Sequence, residues 1–263
     1  MGEPVKEASI LPELRDIDGS VIRDALGAGW RDFRRAPAFG IAFSLVYVLG
    51  GVVLYQVFAA AGEEWWLLPF ILGFPLLAPF AAIGIFEVSR RIETGQPLIW
   101  REVLGVVFAQ KDRQIPSMAM VILLMFMFWV FVAHTTFALF MGVSALTNIT
   151  TSPEVILQGN GPLMLLVGTL IGGGFALALF SFTVVGLPLL LEYEVDFITA
   201  IITSVAAVRL NPKTLLSWGA IIALGLFIGM VPMFLGLFIA LPVLGHASWH
   251  MYRFLTNENT LRG

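Results

Sequence analysis

Apolar residues run through this chain in long blocks, bounded by short segments that hold most of its charge. The blocks cover residues 37–60, 65–87, 116–146, 162–191 and 215–254. A helix needs roughly 20 apolar residues to cross about 30 Å of hydrocarbon, and irregular backbone cannot face lipid. Each of the first four blocks therefore predicts one crossing. The third is long enough to be tilted or to project beyond the bilayer. The fifth is too long for one crossing, and Pro232 divides it in two. The pattern predicts an all-α membrane protein with six transmembrane helices.

The polar segments repeat in a way that groups these helices. Residues 21–33, 99–108 and 197–208 are amphipathic, and each precedes an odd-numbered span that opens at a proline: Pro37, Pro116 or Pro212. Proline suits a first helical turn, where its missing N–H would be unpaired anyway. Even-numbered spans carry a proline in the half nearer their exit, Pro79, Pro188 or Pro242, followed by Glu87, Glu192 or His246. The chain thus reads as three transmembrane hairpins, each preceded by an amphipathic cytoplasmic helix. Residues 1–16 are expected to be a polar N-terminal tail, 17–254 the membrane domain and 255–263 a C-terminal tail.

Composition and charge agree with this picture and orient it. Hydrophobic residues make up 58% of the 263 and charged ones 13%, with a mean hydropathy of +0.90, which excludes an ordinary soluble domain. All 15 Lys and Arg residues fall in 1–36, 89–115, 192–213 or 253–263, and none lies in 61–64 or 147–161. Positive charge retains short loops on the cytoplasmic side, so both termini are expected there and the two base-free loops outside. The first 35 residues resemble no cleavable signal peptide, so the first span is expected to act as an uncleaved insertion signal. There is no cysteine, which removes disulfides, thiolate catalysis and cysteine-ligated metals.

The first amphipathic segment predicts a membrane-surface helix. Ile22, Leu26, Trp30 and Phe33 follow helical spacing, while Arg23, Asp24, Arg31, Arg34 and Arg35 carry charge. Trp30 and Phe33 are expected to insert at headgroup level, with Arg31, Arg34 and Arg35 against anionic lipid; docking to a partner protein is the alternative. Asp18 or Ser20 is placed to cap the helix.

Little in the sequence carries chemistry. His134 is the one clearly intramembrane titratable residue and is expected to bond to a neighbouring span, with Thr135 and Thr136 bonding back to their own helix. His246 and His250 are four residues apart and share a helix face, a spacing that can bind a transition metal. His134 lies at a different depth, so the three are not expected to form one site. The pair reads as part of a polar exit cluster with Glu87 and Glu192, which are also the nearest ligands by depth if a metal or haem were bound. The acids of 192–196 are expected to pair with Arg90, Arg91 and Arg253, tying the hairpins together. Gly172, Gly173 and Gly174 suit close helix contact or a bend. No phosphate-binding loop, dinucleotide fingerprint, nucleophile elbow or zinc-protease helix is present. No metal, cofactor or catalytic residue is assigned.

Several segments together resemble a family of bacterial integral membrane proteins, domain of unknown function 2189. They are Gly29-Trp30-Arg31-Asp32, the run from Val185 to Leu191 with 195–200, the Asn211-Pro212 pair and the closing run from Leu241 to Arg253. The resemblance implies a six-helix protein of the bacterial inner membrane and no particular activity.

The expected function is a non-enzymatic accessory or scaffold subunit that contacts lipids, including anionic ones, or a larger membrane complex. A transporter or channel is the alternative, with a cavity formed where helices break at Pro79, Pro188, Pro232 and Pro242. No nucleic-acid partner is expected.

Overall fold

A computed structural model describes residues 11–61, 68–142 and 159–256. The described residues are helical, with no strand among them. In chain order the helices are α1 (Ser20–Arg35), α2 (Pro37–Ala61), α3 (Leu68–Glu93), α4 (Trp100–Ala109), α5 (Ile115–Met141), α6 (Gly161–Thr183), α7 (Gly186–Glu192), α8 (Phe197–Leu210), α9 (Pro212–Met230) and α10 (Leu237–Thr256). A single 3₁₀ turn, Gln110–Asp112, joins α4 to α5. The expected outer loops, 61–64 and 147–161, fall almost wholly outside the described residues.

Proline sets two of the corners. A residue before proline is driven out of the α region. Ala36 takes φ −136°, ψ 51°, and Asn211 takes φ −122°, ψ 52°, so the corners α1–α2 and α8–α9 share one backbone geometry. At the first corner the chain bends by 99°. The expected order of amphipathic helix, proline and apolar helix therefore recurs twice in the same local form. Other ends have their own causes. Asp196 accepts from the Thr199 N–H at 2.9 Å and caps α8. Gly95 closes α3 at φ +67°, with Gln96 N bonded to Arg91 O at 2.9 Å, a glycine-terminated helix end. At the other expected cap, Asp18 accepts from the Ser20 N–H at 2.6 Å, while Gly19 occupies the cap position of α1.

Three helical stretches are long and apolar enough to cross a membrane: Ile115–Met141, Gly161–Glu192 and Pro212–Met230; counting the bent pair α1–α2 as one span gives four. Only 6% of the most apolar window in Gly161–Glu192 is buried within the protein, so its surroundings must be apolar too. Pro232 does end an apolar helix, since α9 stops at Met230 and α10 starts at Leu237. The proposed breaks at Pro79 and Pro242 do not occur. Both residues lie inside continuous helices, α3 and α10, and the chain break near Pro188 falls earlier, at Val184 and Val185. Neighbouring helices compensate prolines within apolar helices, so the residue alone does not predict a break.

The chain divides into two compact units. The first comprises residues 1–119 and 181–263, the second 120–180. In the second, Phe128 and Phe175 meet edge to face at 5.5 Å, beside a groove of about 220 Å³ lined by Met125, Trp129 and Gly172. Gly172 is the glycine of its triplet that makes contact, as a Cβ there would lie 3.3 Å from Trp129 Nε1, whereas Gly173 and Gly174 face open space.

In the first unit α1 and α10, the first and last described helices, pack against each other. A Cβ on Gly29 would lie 2.6 Å from Ala247 N and 2.7 Å from Val243 O, so glycine allows the two backbones to touch. The chain ahead of α1 is tied down as well. Arg15 N donates to Leu255 O at 3.0 Å, and Ile17 N donates to Asn211 Oδ1 at 2.7 Å. Behind α1, Ala36, Phe39, Val88 and Val103 form a buried cluster, and Phe39 stacks on Trp100 at 3.9 Å.

Candidate functional site: a buried polar chain across three helices

The inner face of α1 differs from the one expected. Val21, Ala25, Ala28, Gly29, Asp32 and Phe33 are buried, while Trp30 is 44% exposed. Phe33 is therefore a core residue, not a headgroup anchor. The small residues form the contact stripe because they let α10 approach, and the stripe carries Asp32 inward. Arg31, Arg34 and Arg35 remain exposed beside Trp30.

Asp32 anchors a hydrogen-bonded chain linking α1, α3 and α10. Ser89 Oγ donates to Asp32 Oδ2 at 2.8 Å and lies 2.7 Å from His246 Nδ1; His250 Nε2 lies 2.7 Å from the same Asp32 oxygen. A hydroxyl has one proton to give. With that proton on the bond to Asp32, His246 Nδ1 carries its own and donates to Ser89, and in the neutral imidazole Nε2 is then bare. That nitrogen is buried and has no hydrogen-bond partner. Asp32, Ser89 and His246 are 6%, 0% and 0% exposed. Ser89 is buried, with its oxygen engaged by both Asp32 and His246.

A second polar group lies where α3, α7 and α10 end. Glu87 is fully buried and accepts from Arg90 and Arg91, each at 2.7 Å. Arg91 also pairs with Glu102 of α4 and donates to Pro97 O at 2.9 Å. Arg253 joins Glu93 at 3.0 Å and Glu192 at 2.7 Å, and Glu192 also accepts from the Tyr252 hydroxyl at 2.6 Å. Trp249 Nε1 donates to Glu93 at 3.1 Å. The pairing of Glu192 with Arg253 joins the end of α7 to α10, as the charge pattern predicts, whereas Arg90 and Arg91 are held by Glu87 and Glu102 and not by the acids of 192–196.

The exit residues thus divide into two sets. His246 and His250 belong to the chain through Asp32 and Ser89, while Glu87 and Glu192 are bonded to arginines and Tyr252. The carboxylates expected nearest the histidines are therefore engaged elsewhere. Among the described residues, no three His, Cys, Asp or Glu side chains gather as a metal would require. His134 lies in the second unit. Its Nδ1 is 2.8 Å from Val130 O of its own helix, which replaces the expected bond to another span, and Thr135 and Thr136 bond back to Phe131 O and Val132 O. Asp32 and Ser89 were the residues missed. Their one sequence signal is the stripe Val21, Ala25, Ala28, Gly29 and Asp32 at helical spacing, small residues ending in an acid.

Helical stretches able to cross a bilayer, apolar outer faces and polar groups folded inward define an all-α integral membrane protein. The family model described as predicted integral membrane protein, DUF2189, matches residues 67–192, and of the segments that carry the resemblance the run from Val185 to Leu191 lies within that match. No curated protein and no solved structure matches the chain.

Proposed function

We propose that the chain is a non-enzymatic accessory or scaffold protein of the bacterial inner membrane. In this reading it crosses the bilayer six times as three hairpins with both termini cytoplasmic. The observation behind it is the inward use of charge. Arg90, Arg91 and Arg253 each pair with acids of the same chain, and Asp32 is taken by Ser89 and His250. Groups that a transporter would leave open to a solute are here tying helices together. Outward-facing Leu, Ile and Phe residues suit lipid or partner helices. Trp30, Arg31, Arg34 and Arg35 on the open side of α1 suit an anionic lipid surface.

Transport is the second reading, favoured by a cavity of about 180 Å³ in the first unit with Ser44 and Tyr47 in an otherwise mostly apolar wall. Reconstitution separates the two. Purified protein in liposomes is expected to leave ion and proton leakage at the level of protein-free vesicles. Leakage that rises with protein density, and is altered by filling the cavity with Ser44→Phe, would favour transport.

A further inference from the structure

Helix α8 is built inside out for a water-facing helix. Ala200, Thr203, Ser204 and Ala207, at helical spacing, are its buried residues. Ile198, Ile202 and Leu210 are 56%, 63% and 46% exposed. The inner stripe has its own cause. The break between α6 and α7 leaves the Val185 N–H without a helical partner, and Ser204 Oγ accepts it at 3.0 Å. Small neighbours keep the contact close, as a Cβ on Gly186 would lie 3.4 Å from Ala200 O. The polar side of α8 is thereby used inside the protein, and its isoleucines are turned out.

Length and flanking charge indicate what covers them. Phe197–Leu210 has 14 residues, about 21 Å of helix, which is too short to cross about 30 Å of hydrocarbon. Its exposed apolar stripe ends at Arg209, with Lys213 just beyond, and its other end is capped by Asp196. Apolar residues between ionic ends fit a helix lying in the plane of the headgroups. The stripe is also continuous in sequence with a lipid-facing surface. Pro212 opens α9, whose Leu216, Leu224 and Phe227 are 44%, 59% and 63% exposed.

We propose that α8 is an interfacial helix, with Ile198, Ile202 and Leu210 set in the acyl chains and Arg209 and Lys213 at the phosphates. Its occupant is lipid rather than a partner protein. This rests on the reading of α9 as a membrane span. The absence of cysteine allows a direct test, with single nitroxide labels at Ile202→Cys, Leu224→Cys and Gln96→Cys in nanodiscs of phosphatidylethanolamine and phosphatidylglycerol. The label at 202 is expected to relax strongly with oxygen and weakly with a nickel chelate, at a depth between those at 96 and 224. Nickel access at 202 with 224 still lipid-exposed overturns the proposal alone. Nickel access at both overturns the span as well. An immobile label at 202, shielded from both reagents, places protein on this face and also overturns the proposal. Ile198→Cys lies on the same stripe and repeats the test should the first variant fail to fold.

Discussion

Gly29 is a residue on which the close contact of α1 with α10 depends. Alanine normally strengthens a helix over glycine by about 1 kcal/mol, and at Gly27 the nearest atom to an added Cβ is the end of Arg31, 3.5 Å away. Gly27→Ala is therefore expected to raise the thermal midpoint in detergent slightly. At Gly29 the added carbon meets the backbone of α10, which cannot swing aside. Gly29→Ala is expected to lower the midpoint, at a cost on the order of 1–3 kcal/mol, because the helices must part. An equal response at both positions would contradict the α1–α10 contact.

At the scale of elements, two features give opposite expectations. Asp196 caps α8, and the hydrogen bonds from the Thr199 hydroxyl and then its N–H hold the carboxyl below its ordinary value of 3.8. Asp196→Ala should cost about 1 kcal/mol at neutral pH. A carboxyl with a depressed folded value stabilises above its unfolded value and loses that contribution as pH falls through the folded one. The gap between wild type and variant midpoints should therefore persist down to about pH 4 and close below it. The turn between α9 and α10 is the reverse case. Met233 sits at φ +51°, a conformation that side chains other than Gly and Asn rarely adopt, and half its surface is exposed. Met233→Gly is expected to stabilise by about 0.5–1 kcal/mol through relief of that strain; a lower midpoint would show that the side chain contributes packing instead. The sequence announced this turn through Pro232, and the starts of α2 and α9 through Pro37 and Pro212, because proline acts on its own backbone and the residue before it. It did not announce which face of α1 or α8 turns inward, since that depends on partners distant in the chain.

At the scale of the molecule, apolar runs and proline positions made the helices legible, but not the pairing of Asp32 with His250. Those residues are 218 positions apart, and no local pattern encodes such a meeting. The proposed arrangement of six crossings with cytoplasmic termini leads to a labelling prediction. In intact cells a membrane-impermeant maleimide is expected to label a cysteine at Ser152, which lies outside the described residues, and to spare one at Ser20. Labelling at 20 but not at 152 would invert the topology.

The docking of α1 on α10 also imposes a timetable on synthesis. At about 5–20 residues per second, α1 emerges roughly 10–40 s before the chain that will cover Gly29 and Asp32. Throughout that interval the small-residue face lacks α10 and Asp32 lacks His250, with Ser89 of α3 its earlier partner, and the Trp30 and arginine side can rest on the bilayer while the rest of the chain inserts. The last helix is then a latch that closes on the first. In nascent chains arrested before Leu237, Gly29→Ala should leave protease sensitivity of α1 unchanged, whereas in the released chain it should increase it. A difference already visible in the arrested chain would mean that α1 docks on something earlier than α10.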